Sequence, residues 1–566
     1  MRTNKLNLVS SCIAAMLLAA CGGDGGGSTN PSSAPAPIAA LNSQARYQIV
    51  LKNAITGQRI TDSLSVAFTG DAELKAADGS SLNGKTITTT DGLVALGATF
   101  NATAKDFSVL VGNRALGWVE TGVRVLGSTT STGDQVVELR LVNIKNAAAI
   151  NASPVPISMV VGTGNASATG ALTSSVVLAT PSKLVTNAEG EAETTGTSTL
   201  NLATGTIGTT ADGKPAAAGP LTVSVVNYSN ANIDSLSAFP GGFGATVSGA
   251  PSSVLNGAAA NDGAFITGGF AQFNVTDSKG NAIRKFDKPV SVSIDLPKTS
   301  LDADGVPVQA GAGYPVWSYD DATGAWKFEK TGTITEKSPV DPNNYTVAFS
   351  TDHLSSWNLD FYTPSCTAQI NLTGRPQGDQ RSLTIQVVGV KGQRFSSTGE
   401  ITDSQLNLYR SPYKTRVNVK VLDQGVVVGQ ASNALLCAAP NQPKPISIPI
   451  TLKPLTVGSI QVNTSESCPD GSQKRALPSF AFVNVNNSNK FRVGYTTPVP
   501  GDTVARKEFF SIPAGTSTVY ALNLRKFSYE VQSVAVTANN TTTASFNFGL
   551  TCTRPTGATG ATGAGG

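Results

Sequence analysis

The chain has 566 residues, of which 40% are hydrophobic and 14% charged, with a formal net charge of +4. That length exceeds what one hydrophobic core organises, and the apolar share excludes wholesale disorder. With 57 glycines, 30 prolines and only 3 methionines, the composition suits short strands joined by turns and leaves little for helices. No long segment keeps apolar residues at i, i+3, i+4 and i+7, so the expectation is an all-β chain of several tandem antiparallel β-sandwich domains.

Residues 1–20 stand apart from any fold. Arg2 and Lys5 precede the apolar run Leu6 to Leu18, which is too short to span a bilayer and reads as a secretory signal. Its ending, Leu18-Ala19-Ala20-Cys21, resembles the lipobox of bacterial lipoproteins. The resemblance implies cleavage before Cys21 and acylation of that cysteine with palmitate-type chains. Residues 21–42, including "GGDGGGSTNPSSAPAP", are too poor in large side chains to pack and form a flexible tether. Gly22 and Gly23 behind the cysteine favour the outer membrane, by similarity to enteric sorting rules. No later segment reaches the roughly 18 apolar residues of a membrane helix, so acyl chains are the expected membrane contact.

Alternating runs such as "RYQIVLKNA", "DSLSVAFTG" and "QVVELRLVNI", split by turn signals, predict a first sandwich over 43–144. The second, 145–362, begins poor in large side chains and strengthens after Pro220; it is read as one large or composite sandwich. Sandwiches three (363–455) and four (456–553) each carry an early and a late cysteine, consistent with a duplicated unit. Cys366, Cys437, Cys468 and Cys552 allow three connectivities in an oxidising compartment, and one staple per sandwich, 366–437 and 468–552, is the simplest. The end, "PTGATGATGAGG" (554–566), places glycine at every third position but is too short for a collagen helix, so it is read as a flexible tail.

Residues 314–333, "YPVWSYDDATGAWKFEKTGT", hold two of the four tryptophans. A loop Asp321-Ala322-Thr323-Gly324 sets Tyr319 opposite Trp326 and Trp317 opposite Phe328, so four rings share one face of a hairpin. That face is either a core wall or an exposed platform for sugar rings. "PGGFGATV", "GGFAQFNVTDSKGNAI", this hairpin and "DHLSSWNLD" together resemble an extracellular sandwich domain of bacterial surface lipoproteins and some vertebrate membrane glycoproteins. The resemblance covers about 220–360 and implies a non-catalytic module, with Trp317, Tyr319, Trp326, His353, Trp357 and Asn358 in structural roles. More faintly, "DGLVALGATF" and "FFSIPAGTSTVYALNL" are similar to prealbumin-like and carboxypeptidase-regulatory modules, which implies Ig/prealbumin-like sandwiches used for binding or spacing.

Little in the chain signals catalysis. Asp352, His353, Ser355 and Ser356 supply triad residue types, but neighbours on a strand diverge rather than converge. Asp320 and Asp321 read as turn caps, and "DADG" (302–305) lacks the remaining ligands of a calcium loop. There is neither a phosphate-binding glycine loop nor a GxSxG elbow, no CxxC accompanies the single histidine, and no cofactor or metal is expected.

Charge divides unevenly. Residues 22–365 hold 20 basic and 28 acidic side chains, whereas 366–553 hold 18 and 9. In "YRSPYKTRVNVKV", Val417, Val419 and Val421 would face a core, leaving Lys414, Arg416, Asn418 and Lys420 on the other face. Such a row suits a polyanion, whether an acidic glycan, lipopolysaccharide or extracellular nucleic acid, or a protein partner, including the acidic half of another copy; specific nucleic-acid recognition is not expected. The overall expectation is a non-catalytic, lipid-anchored envelope protein, structural or adhesive, with its basic end remote in sequence from the anchor. The alternative is a carbohydrate-binding surface protein using Trp317, Tyr319, Trp326 and Phe328.

Overall fold

A computed structural model of the protein describes residue 41 and residues 43–552, except 104, 128–132, 322, 378, 380, 402, 440, 441, 444, 455, 488–490 and 527. The signal, Cys21, the tether up to residue 40 and the Gly-x-y tail lie outside the described residues. The chain is all-β, built from multiple antiparallel sheets, and its helices are single turns or little more, such as Ala147–Ala152. Among the described residues no helix is long and apolar enough to cross a membrane.

One strand pattern occurs three times. In the first module, Ala45–Asn53 pairs antiparallel with Leu93–Thr99 and parallel with Gly133–Leu141; the facing sheet sets Leu64–Gly70 between Thr86–Thr89 and Asp106–Asn113, with Trp118–Leu126 outside. The period-2 pattern of Tyr47, Ile49 and Leu51 fills the space between the sheets with Phe68, Leu96 and Phe107. In the third module Ser356–Thr373 takes the first-strand position, antiparallel to Gln405–Pro412 and parallel to Ile446–Pro449. Opposite it, Leu383–Gly389 lies between Ser396–Ile401 and Arg416–Asp423, with Val426–Leu435 outside. The fourth module repeats the order with Val457–Ser467, Ala505–Pro513 and Thr541–Gly549 against Phe491–Pro498, Ser479–Asn484, Gly515–Asn523 and Ser528–Val536.

Module two is built differently. Ten strands follow one another in a single folded sheet, from Val176–Ala179 at one end through Ala282–Pro297 and Ser356–Thr373 to Ile157–Ala166 at the other. Gly263–Thr276 is buried along nearly its whole length, on both faces, which is why "GAFITGGFAQFNVT" lacks strict alternation.

The expected division at 362/363 falls inside an 18-residue strand. The upstream half of Ser356–Thr373 pairs with Gly263–Thr276 and the downstream half with Gln405–Pro412, so modules two and three share a continuous strand. Pro364, which has no N–H to donate, sits where the ladder changes partners, and its carbonyl accepts from Tyr413 N at 3.0 Å. A core cluster running from Ala54 and Val142 through Phe265 and Tyr362 to Val417 and Ile448 joins modules one, two and three.

The fourth module does not stand apart as its remoteness in sequence suggested. Leu41, expected in the 21–42 tether, is buried: with Val50, Ala77 and Leu93 of module one it packs against Phe480, Phe482, Phe491, Tyr495, Leu522 and Leu524 of module four. Arg46 lies over the Tyr495 ring at 5.0 Å, Arg59 lies over Tyr520 at 4.8 Å, and Leu41 N donates to Tyr495 Oη at 2.8 Å. The region next to the tether and the C-terminal module are therefore in contact.

Disulfides Cys366–Cys437 and Cys468–Cys552 are both present, one in each of the last two modules, with sequence separations of 71 and 84 residues. On chain-entropy grounds each is worth about 4 kcal/mol. The variant Cys366→Ser/Cys437→Ser is expected to lose about that much stability in urea unfolding; a loss below about 1 kcal/mol would show that packing alone holds module three.

Candidate functional site

The aromatic hairpin closes in the expected register: Asp320 opposite Ala325, Tyr319 opposite Trp326, Ser318 opposite Lys327 and Trp317 opposite Phe328. Gly324 takes φ +65°, and a Cβ there would lie 2.3 Å from Ser108 Oγ, so glycine is required by both backbone and space. Asp320 caps the turn, its carboxylate accepting from Thr323 Oγ1 at 2.9 Å.

These rings form a wall of the core. Trp317, Tyr319 and Trp326 are at most 3% exposed and Phe328 is half-buried. Trp326 stacks on Phe239 at 5.2 Å, meets Phe265 edge-on at 5.9 Å, and donates its indole N–H to Pro240 O at 3.2 Å. Trp317 donates to Asp360 O at 2.9 Å. An exposed stacking platform is thus contradicted: segment 239–247 covers one side, and module one meets the tip through Ser108, whose hydroxyl donates to Thr323 O at 3.2 Å.

Charged groups fasten the same junction. Arg284 bonds both Glu120 (2.8 Å) and Asp321 (2.9 Å), and Arg114 pairs with Glu120. Burial works against Glu120, yet the two arginines hold its carboxyl below the ordinary range; burial pushes Asp321 up despite Arg284.

Asp360 is fully buried beside Asn358, whose amide donates to one carboxylate oxygen, and burial pushes its carboxyl well above the ordinary range. Its folded-state proton affinity exceeds the unfolded one, so stability falls as pH rises from about 4 towards the folded value. Asp360→Asn keeps the carbonyl acceptor and removes the titration. Its unfolding free energy should gain on the parent's as pH rises above about 4, by up to about 1.4 kcal/mol per pH unit; a difference that does not change with pH would show that Asp360 is not neutral in the fold.

Residues with triad chemistry do not assemble one. His353 Nδ1 lies 3.2 Å from Asp352 Oδ1, but Nε2 faces Glu329 Oε1 at 3.5 Å and the ring packs on Trp357 at 5.1 Å. Ser355 Oγ is buried and donates to Tyr319 O and Ser356 O at 2.8 and 2.9 Å. In "DADG", Asp302 Oδ1 accepts from Asp304 N and Val306 N, which makes a turn. Among the described residues no cluster of three or more metal-ligating side chains occurs.

The basic row follows its alternation in part. Val417, Val419 and Val421 are fully buried and Arg416 and Lys420 are exposed on Arg416–Asp423, as alternation predicts; Lys414 is exposed too, but in the turn before the strand at φ +58° rather than on its outer face. Lys414 lies beside the Tyr413 ring at 5.3 Å and Arg416 donates to Asn433 O at 2.9 Å. Sequence reasoning missed that part of the charge asymmetry is spent inside the molecule. Arg394 forks onto Glu189 (2.9 and 2.5 Å), Lys391 meets Glu191 (3.3 Å) and Arg410 meets Asp262 (3.7 Å), each joining module three to module two. The opposite net charges of the two halves were the available signal; the pairing needs the fold.

No family model matches the chain, and no curated protein matches it in sequence. Solved structures similar to it include a leucine-rich repeat protein from Bacteroides thetaiotaomicron, at TM-score 0.15 and 15% identity over 33% of this chain and 26% of that one. The chain therefore spans about a quarter of that protein. Another is the Bacillus anthracis TIE protein, at TM-score 0.14 and 10% identity over 87% and 69%. A third is BcpA, the major pilin subunit of Bacillus cereus, at TM-score 0.13 and 9% identity over 90% and 100%. Likeness at this level does not establish a shared architecture, so function is argued from this chain's own residues.

Proposed function

We propose that this chain is a non-catalytic protein of the bacterial cell surface, lipid-anchored in the outer membrane through Cys21, with a structural or adhesive role. Its fused sandwiches hold the third module's basic row towards a polyanionic glycan. The observation that carries this reading is the row itself: Lys414, Arg416 and Lys420 are exposed, and among the described residues none of the three pairs with a carboxylate. On the strand Arg416 and Lys420 are two same-face steps apart, about 13 Å, and Lys414 precedes them in the turn. Exposed cations on a sheet face favour recognition by charge.

Two experiments test it. The chain from residue 22 onward should be retained on isolated cell envelopes at about 50 mM salt and released near 500 mM, as exposed charge pairing is screened. Its Lys414→Ser/Arg416→Ser/Lys420→Ser variant should wash through at both; equal retention of variant and parent would overturn the polyanion reading. Metabolic labelling with an alkyne palmitate analogue should tag the full chain and not Cys21→Ser; equal labelling of both would remove the anchor.

A further inference from the structure

The basic row has a neighbour of opposite charge. Leu184–Thr186 and Ala192–Thr194 form a hairpin in module two whose tip, 187–191, is shaped by Asn187 Oδ1 accepting from Glu189 N (3.1 Å) and Glu191 N (2.9 Å). At its base Asn232 Nδ2 donates to Thr186 O at 2.8 Å, and within the tip Ala188 N donates to Ala231 O at 2.9 Å. The acidic tip meets module three through side chains. Glu189 accepts the Arg394 fork and also Asn418 Nδ2 at 3.3 Å; Glu191 meets Lys391 at 3.3 Å. Asn418 lies between Arg416 and Lys420 on the same face of one strand. Two carboxylates of this chain therefore rest at the edge of the surface proposed to bind anions.

We propose that Glu191, at the 187–191 tip, is a tethered stand-in for the ligand: a weak intramolecular competitor that a glycan carrying repeated carboxylates, a polyuronate, displaces from Lys391 at the edge of the basic face. This rests on the polyanion reading and goes beyond it by naming carboxylate as the recognised group and the hairpin as the gate. The ligand class follows from what the face already holds, since Arg394 grips a carboxylate with two parallel N–H bonds. Displacement is feasible at the outer contact, which is open to water: Glu191 and Lys391 are 61% and 41% exposed, and exposed pairs of this kind are worth little, whereas Glu189 stays on Arg394, whose side chain is 3% exposed. A chain of carboxylates can replace that contact and engage Lys414, Arg416 and Lys420 together, which the tip does not reach.

The test uses the full chain from residue 22, polygalacturonate as probe, and calorimetric titration at about 50 mM salt. Glu191→Gln is expected to bind about two- to fivefold more tightly than the parent, and Glu189→Gln/Glu191→Gln, in which the buried Arg394 also loses its carboxylate, no more tightly than Glu191→Gln, with melting curves confirming that each is folded. Deuterium uptake across 184–194 should rise when polygalacturonate is added to the parent, a change a purely structural hairpin would not show. If the basic-row triple variant loses binding while both Gln variants match the parent, the polyanion reading stands and the tethered competitor falls. Weaker binding by the Gln variants would also overturn it, making the glutamates part of the ligand site. Absence of binding by the parent and by the Gln variants would overturn both readings.

Discussion

Trp326→Ala is expected to cost about 4 kcal/mol of stability and to loosen two modules at once. Its ring is 1% exposed and packed by Phe239, Phe265 and Tyr319, and large aromatic truncations in closed cores cost about 3–5 kcal/mol because the surroundings collapse only partly. Phe239 and Tyr319 also face module one's edge, where Gly241 N donates to Gly122 O at 3.0 Å and a Cβ on Gly122 would lie 3.1 Å from Tyr319 Oη. The cavity should therefore raise hydrogen exchange in Trp118–Leu126 as well as in the hairpin. Urea unfolding gives the magnitude. A loss below about 1 kcal/mol, with glycan binding abolished, would restore the exposed platform and sink the core assignment.

Leu93→Arg should act at the other large junction. Leu93 is 3% exposed and turned away from module one's own core, towards the aromatic sheet of module four. An unpaired guanidinium there costs about 3–5 kcal/mol, enough to undock the module. Module four keeps its own core of Ile460, Val462, Phe509, Val519 and Phe546, together with Cys468–Cys552, so it should remain folded once undocked. The expected calorimetric result is a separate transition for module four, and dye binding should report newly exposed Phe480, Phe482 and Leu522. A melting profile identical to the parent's would show that this contact holds nothing.

How legible this architecture is depends on how local each determinant is. Strand alternation and the DATG turn are local, so the pairing of Tyr319 with Trp326 could be read from residues 314–333, as could the exposure of Arg416 and Lys420 opposite a valine row. Cysteine spacing carried the disulfide pairing. What escaped depends on contacts hundreds of residues apart. Phe480 to Val483 form an unbroken apolar run, and in the fold each alternate pair serves a different core, Ala481 and Val483 inside module four and Phe480 and Phe482 against module one. That run was the signal of a sheet buried on both faces. Pro364 and Cys366 look like linker punctuation, yet they sit within one strand because its ladder changes partners there. Glu189 and Glu191 look like a solvated turn; only the fold brings Arg394, Lys391 and Asn418 beneath them.

The basic row is the surface proposed to meet the ligand, and the aromatic hairpin is interior; that contrast can be tested on cells. It is tested most directly by placing a photo-crosslinking residue at Lys420 or at Trp317 in the full chain and irradiating intact cells. Slow-migrating, carbohydrate-staining, protease-resistant adducts are expected from position 420 and none from position 317. Adducts from position 317, or none from position 420 with the protein at normal abundance, would contradict it.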